Sequence, residues 1–187
     1  MQYGASEVAK RTFLASIMTA LAWPATLISL ANYIDNSWSV ACARADKAGI
    51  ILAEVLESRI HGNQPVTLIG YSTGARVIYS ALTHMTQKGI VENVVLIGAP
   101  VSNDIEGWKK IRSVVTNRII NGYSSKDWAL RLLYRANGDG LGCCGLNPIQ
   151  KGTELLSIEQ YDTEFAHFRL RDSIGEVLHK VVGVPYL

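Results

Sequence analysis

The sequence lacks the features that mark several large classes of protein. It has three cysteines, five prolines and no dense run of like charge. Cys42 stands alone, and Cys143 and Cys144 are adjacent, where an ordinary bridge is strained. A closed disulfide set is therefore excluded, and a reducing, intracellular compartment is expected. No second Cys or His pair stands at ligand spacing from Cys143-Cys144, so no metal is expected, which leaves a plain loop or a lipid attachment point. Lys and Arg number 18 against 16 Asp and Glu, a formal charge of +2, which argues against nucleic acid as a partner. Internal repeats, low-complexity tracts and Ser/Gly linkers are also missing. What is present is 48% hydrophobic residues in a chain of 187, too apolar for a disordered chain and enough for one core.

Charge is absent again over residues 13–34. That run is long enough to cross a bilayer, and Glu7, Lys10 and Arg11 precede it. Pro24 near its middle and the polar Ser16, Thr19, Thr26, Ser29 and Asn32 weigh against a plain span. Three readings stay open: a helix pair broken at Trp23-Pro24 and buried or folded over a site, a membrane-embedded segment, and a cleaved signal. No small-residue cleavage site clearly ends the run, which weighs against the signal, and Pro24 with the polar residues makes the first reading the preferred one. Residues 1–36 are thus expected as an apolar helical segment, membrane-associated or lid-like, ahead of a domain over 37–187.

Helical periodicity begins after the cap candidates Asp35, Asn36 and Ser37. A helix is expected over 37–59, with an apolar stripe at Trp38, Ala41, Ala45, Ala48, Leu52 and Val55 and a stop at Gly62. Continuous apolar strands are expected at 66–69 and 94–97, a third at 118–123 and a last one at 155–158. Helices are expected over 75–88, 127–135 (with Trp128, Leu132 and Tyr134 partly buried) and 168–182. Runs apolar on both faces suit parallel strands covered by helices, so the fold class is an open parallel α/β sheet with flanking helices.

Gly70-Tyr71-Ser72-Thr73-Gly74 fits G-x-S-x-G between an expected strand and an expected helix. In a nucleophile elbow the serine occupies a strained strand-to-helix turn, and both glycines are expected to avoid collisions that a Cβ would cause. The Thr73 N–H, at the start of the helix, would face the oxyanion of acyl transfer. A serine hydroxyl needs a base. Of four histidines, His61 lies at the wrong end of the strand, His84 too far along the helix and His179 late in the last helix, which leaves His167. Asp127, after the 118–123 strand, is the preferred orienting acid over Asp162 and Asp104, with an N-cap role as its alternative. The order Ser72, Asp127, His167 is that of α/β-hydrolases. Tyr123 and Trp128 are candidates to line an acyl pocket, and Arg76 is expected to pair with a carboxylate or a carbonyl.

The run from Pro65 through the elbow to Tyr79 resembles the transmembrane and coiled-coil domain-containing protein 4 family. So do Val94-Val95-Leu96-Ile97-Gly98-Ala99-Pro100 and Arg118-Ile119-Ile120-Asn121-Gly122-Tyr123 with Asp127-Trp128, and Trp23-Pro24, Asp35-Asn36 and Trp38. The resemblance implies an α/β-hydrolase-like fold of the lipase and esterase kind, a membrane setting, Ser72 as nucleophile, and Asp127 and His167 at the acid and base positions. The family shows Gly-His where this chain has Ala166-His167. Family members also carry earlier strands, whose loop donates a second oxyanion N–H; none is expected ahead of the elbow strand here, as in a fragment, a short isoform or a pared-down homologue. Without that loop Thr73 is the one donor, and loss of a donor costs about 2.7–4 kcal/mol in the transition state. The leading expectation is a serine hydrolase acting on a carboxylic ester, of a lipid by preference, with no cofactor. Its rival is a catalytically inactive membrane-associated scaffold that keeps the fold. A peptidase is the weaker third reading.

Overall fold

The computed structural model describes residues 37–136, 142–149, 156–164, 167, 175, 176, 178 and 179. The apolar run over 13–34, and with it the expected 1–36 segment, lies outside the described residues. By its internal contacts the chain divides into residues 1–38 and 39–187, and almost all described residues belong to the second unit.

Four parallel strands form one sheet in the order of the chain: β1 (Val66–Tyr71), β2 (Val91–Ile97), β3 (Ile119–Tyr123) and β4 (Ile158–Asp162). Between them run α2 (Thr73–His84), α3 (Ile105–Val114) and α4 (Trp128–Ala136), and a helix over 37–57, α1, precedes β1. Alternation along the strands sends Val94, Leu96 and Ile119 into a core shared with Leu82, Trp108 and Ile111 of α2 and α3. The intervening Val95, Ile97 and Ile120 form a second cluster with Tyr71, Tyr161 and Leu178. Burial on both faces is why 94–97 reads as an unbroken apolar run, and the expected α/β class with a parallel sheet and flanking helices is what is observed. Among the described residues no helix is long and apolar enough to cross a membrane.

Several boundaries and faces differ from expectation. The stripe expected on α1 is rotated: the buried positions are Cys42, Ala45, Gly49, Ala53 and Leu56, while Ala48 is exposed and Val55 is 45% exposed. Close approach to α2 decides this, because a Cβ on Gly49 would lie 2.5 Å from Ser80 Cβ and 2.6 Å from the Val77 carbonyl oxygen. Polar contacts lock the same face: Arg76 Nε and Nη2 each reach the Asp46 carboxylate at 2.8 Å, and Ser80 Oγ donates to the Asp46 carbonyl at 2.9 Å. Arg76 also donates to the Pro100 carbonyl at 2.8 Å, so it meets both a carboxylate and a carbonyl.

The α2 helix ends at His84 rather than near Lys88, since Met85 turns extended to enter the core. The next amides, of Thr86 and Gln87, donate instead to Glu57 Oε1 at 2.6 and 2.9 Å. These two N–H groups, Gln87 first, hold the Glu57 carboxyl below its ordinary value of 4.5. A depressed folded value stabilises above the unfolded value and is lost as pH falls through the folded one. Glu57→Gln is therefore expected to be less stable than wild type near neutrality, with the gap closing as pH drops below 4.5, in urea melts at stepped pH.

The α3 helix is absent from the expected elements. Its signal is nonetheless regular: Trp108, Ile111 and Val114 are buried at three-residue steps, and Glu106, Lys109 and Lys110 face solvent. On α4, Tyr134 is buried, but Trp128 and Leu132 are 63% and 59% exposed rather than partly buried. Asp127 sets the phase: its Oδ1 accepts the Leu130 N–H at 2.9 Å, which turns Leu130 and Tyr134 inward, one helical turn apart. β4 runs over Ile158–Asp162 instead of 155–158. Its polar side chains hid it: Glu159 pairs with Arg118 at 2.8 Å, and Gln160 Oε1 accepts the Ile149 N–H at 2.6 Å.

Candidate active site

β1 gives way to α2 across a single residue. Ser72 links Tyr71 to Thr73 with φ 53° and ψ −126°, a left-handed backbone that side-chain-bearing residues seldom adopt and that costs about 1–3 kcal/mol. It is held on both sides: its N–H donates to the Ile97 carbonyl at 2.9 Å and its carbonyl accepts the Arg76 N–H at 3.2 Å. Gly70 makes the tight turn sterically feasible, because a Cβ there would stand 2.7 Å from Ala75 Cα and 2.8 Å from Ala75 N. Gly74 has no such duty. Nothing outside its own helix and chain neighbours lies within 4 Å of where its Cβ would stand, which corrects the expectation that both glycines are sterically required.

Because the strands are parallel, the residues after β1, β3 and β4 meet at one sheet edge. Ser72 Oγ lies 3.0 Å from His167 Nε2, and His167 Nδ1 lies 2.6 Å from Asp127 Oδ2. Asp127 is buried, 1% exposed, and a carboxylate can only accept. The proton of a neutral imidazole therefore belongs on Nδ1, leaving Nε2 to accept from the Ser72 hydroxyl. Asp127 also accepts the Leu130 N–H of α4 through its other oxygen, so the cap and the contact with His167 coexist. Thr73 opens α2, where helical geometry leaves the N–H groups without intrahelical acceptors.

The competitors have other contacts or positions. Asp162 Oδ1 accepts the Glu164 N–H at 2.9 Å, and Asp104 precedes α3. His84 Nδ1 is 2.7 Å from the Ser80 carbonyl oxygen, and His61 and His179 are exposed. Cys143 and Cys144 are fully buried, with both sulfurs near the Ala99 carbonyl oxygen at 3.5 and 3.6 Å. Burial above all, with the Asp127 charge adding to it, pushes the Cys143 thiol up to about 12, and burial likewise holds the Cys144 thiol well above its ordinary value. Neither is a rival nucleophile, and a buried thiol offers no place for a lipid chain. Among the described residues no cluster of His, Cys, Asp and Glu could hold a metal. A cavity of about 430 Å³ opens beside α2, lined by Arg76, Tyr79, His84 and Tyr134 among others, and Ser72 is not part of its wall.

One contact at the site escaped the sequence entirely. Tyr71 Oη donates to the His167 carbonyl at 2.5 Å. No local pattern announces a bond between residues 96 positions apart.

Residues 1–184 match the family described as "Protein of unknown function (DUF726)". A rice relative named "Transmembrane and coiled-coil domain-containing protein STS1" (Oryza sativa subsp. japonica) is 48% identical over 157 residues, 81% of this chain and 24% of its own length. A Caenorhabditis elegans relative, "Uncharacterized membrane protein F35D11.3", is 46% identical over 142 residues, 74% of this chain and 23% of its own. The Saccharomyces cerevisiae protein "Probable lipase MIL1" is 38% identical over 180 residues, 94% of this chain and 17% of its own. The chain thus spans about a quarter or less of the length of these three relatives. No solved structure matches.

Proposed function

The chain belongs to the DUF726 family, and from that premise and the contacts at Ser72 we propose a serine hydrolase of the α/β-hydrolase class that cleaves a carboxylic ester of a lipid. The observation that carries the reading is the unbroken contact from Ser72 Oγ to His167 Nε2, at 3.0 Å, and from His167 Nδ1 to Asp127 Oδ2, at 2.6 Å. Strain at Ser72 and its seat at a helix N-terminus support it.

In this reading Ser72 Oγ attacks the ester carbonyl while His167 Nε2 takes its proton. The new C–O bond moves charge to the carbonyl oxygen, which the Thr73 N–H stabilises. Collapse breaks the ester C–O bond, and the leaving alkoxide receives the proton from Nε2. Water then repeats the sequence on the acyl-serine, its proton passing to Nε2 and on to Ser72 as the acid departs. Asp127 stays ionised throughout and stabilises the imidazolium. None of these steps calls on a metal or cofactor.

The lipid substrate and the membrane setting rest on relatives. One is named a probable lipase, and others are named membrane or transmembrane proteins. Within the family we place the chain with the transmembrane and coiled-coil domain-containing proteins. Its apolar 1–36 segment would deliver the 37–187 domain to lipid or cover its site.

A fluorophosphonate probe tests the proposal. Wild-type protein is expected to be labelled at one serine, and Ser72→Ala to lose the label while melting at the wild-type temperature. The inactive-scaffold reading draws on a specific feature: among the described residues β1 bonds only to β2, and Thr73 supplies the one oxyanion donor assigned. Folded wild-type protein that takes no label would establish that reading instead.

A further inference from the structure

Tyr71 grips the His167 residue through contacts that the proton chain does not use. Its hydroxyl donates to the His167 main-chain oxygen at 2.5 Å, and its ring lies against the imidazole with centroids 5.2 Å apart and planes tilted by 33°. Tyr71 is itself firmly placed. It is the last residue of β1, paired in register with Ile97, and it packs against the cluster of Val95, Ile97 and Ile120.

His167 itself lies beyond β4, which ends at Asp162. Asp127 holds its imidazole at Nδ1. A tie at the main-chain oxygen and a ring face, added to the bond at Nδ1, leave Nε2 one place to be. Tyr71 and Ser72 are neighbours in sequence, so the nucleophile and the tether of its base ride on the same rigid turn. The 3.0 Å gap from Ser72 Oγ to Nε2 is then set in part by the elbow that carries the nucleophile.

We infer that Tyr71 is a positioning residue for His167, tethering the main chain of that residue to the elbow so that Nε2 stays aimed at Ser72 Oγ. The catalytic consequence rests on the hydrolase reading above; the tether itself does not.

The test uses the intact chain with Tyr71→Phe, which keeps the ring and loses the donor, and Tyr71→Ala, which loses both. Two quantities are read: the rate of Ser72 labelling by a fluorophosphonate, and the downfield proton NMR signal of the His167 Nδ1–H facing Asp127. Tyr71→Phe is expected to slow labelling roughly tenfold and to broaden the signal, and Tyr71→Ala to slow it roughly a hundredfold, since an error of about 1 Å in placing a reacting group costs about that much. The melting temperature of Tyr71→Phe should stay within a few degrees of wild type, which a purely structural loss would not allow. A Phe variant with wild-type labelling and an unchanged signal overturns the inference. Should Tyr71→Ala fail to fold, the Phe variant decides alone. If even wild type takes no label, the hydrolase reading fails, and the proton signal still decides the tether: broadened in the Phe variant it stands, unchanged it falls.

Discussion

Asp127→Asn is expected to lower kcat on a chromogenic acyl ester about ten-thousandfold while the protein remains folded. The carboxylate holds the proton of His167 on Nδ1 through a 2.6 Å contact. An amide in its place can present its NH2 to Nδ1 and draw the imidazole into the other tautomer, with the proton on Nε2 and nothing left to accept from Ser72. In serine hydrolases built on this arrangement that exchange alone costs about 10⁴ in turnover. Asn retains an oxygen for the Leu130 N–H, so the cap on α4 survives. Asp127→Ala removes cap and orienting group together and should cost about 1 kcal/mol more in stability than Asn. An Asn variant within tenfold of wild-type kcat would remove Asp127 from the mechanism, and Ser72 with His167 would have to act as a pair.

The second large effect concerns stability. Gly70→Ala should destabilise the domain by about 3 kcal/mol, at the upper end of the usual cost of overpacking a close-packed interior. The added methyl would stand 2.7 and 2.8 Å from the Cα and N of Ala75, and 2.8 Å from Ile78 Cδ1. Ile78 can change rotamer, but the Ala75 backbone cannot retreat, because it lies in the first turn of α2 and its neighbour Arg76 donates its N–H to Ser72. In a domain of this size the loss corresponds to a fall of about 6–12 °C in Tm. Gly74→Ala is the control. Its methyl enters open space within a helix, where Ala is favoured over Gly by up to about 1 kcal/mol. Equal melting temperatures for the two variants would mean that the turn relaxes, and that the crowding at Gly70 does not hold it.

The elements that declare themselves in the sequence are those whose signal is local. A strand apolar on both sides, such as 94–97, carries its burial in four consecutive residues, and G-x-S-x-G carries its turn in five. The order of Ser72, Asp127 and His167 marks three side chains that the structure brings into contact, because parallel strands deliver the loops after their carboxyl ends to one edge. Helix faces are less legible. α1 offers two apolar stripes, and Gly49, small enough to let α2 approach, decides which one is buried. α4 carries Trp128 and Leu132, the bulkier bait, yet buries Leu130 and Tyr134, because Asp127 anchors its first turn.

Composition and short-range pattern were thus sufficient for the α/β class, the parallel strands and the strained serine turn, since each depends on residues within one or two turns of chain. Which flank of each helix faces inward, where β4 starts, and that a tyrosine hydroxyl on one strand clasps a carbonyl 96 positions away were decided only by the folded arrangement. These depend on distances between elements, and no stretch of sequence encodes such a distance until the elements have packed.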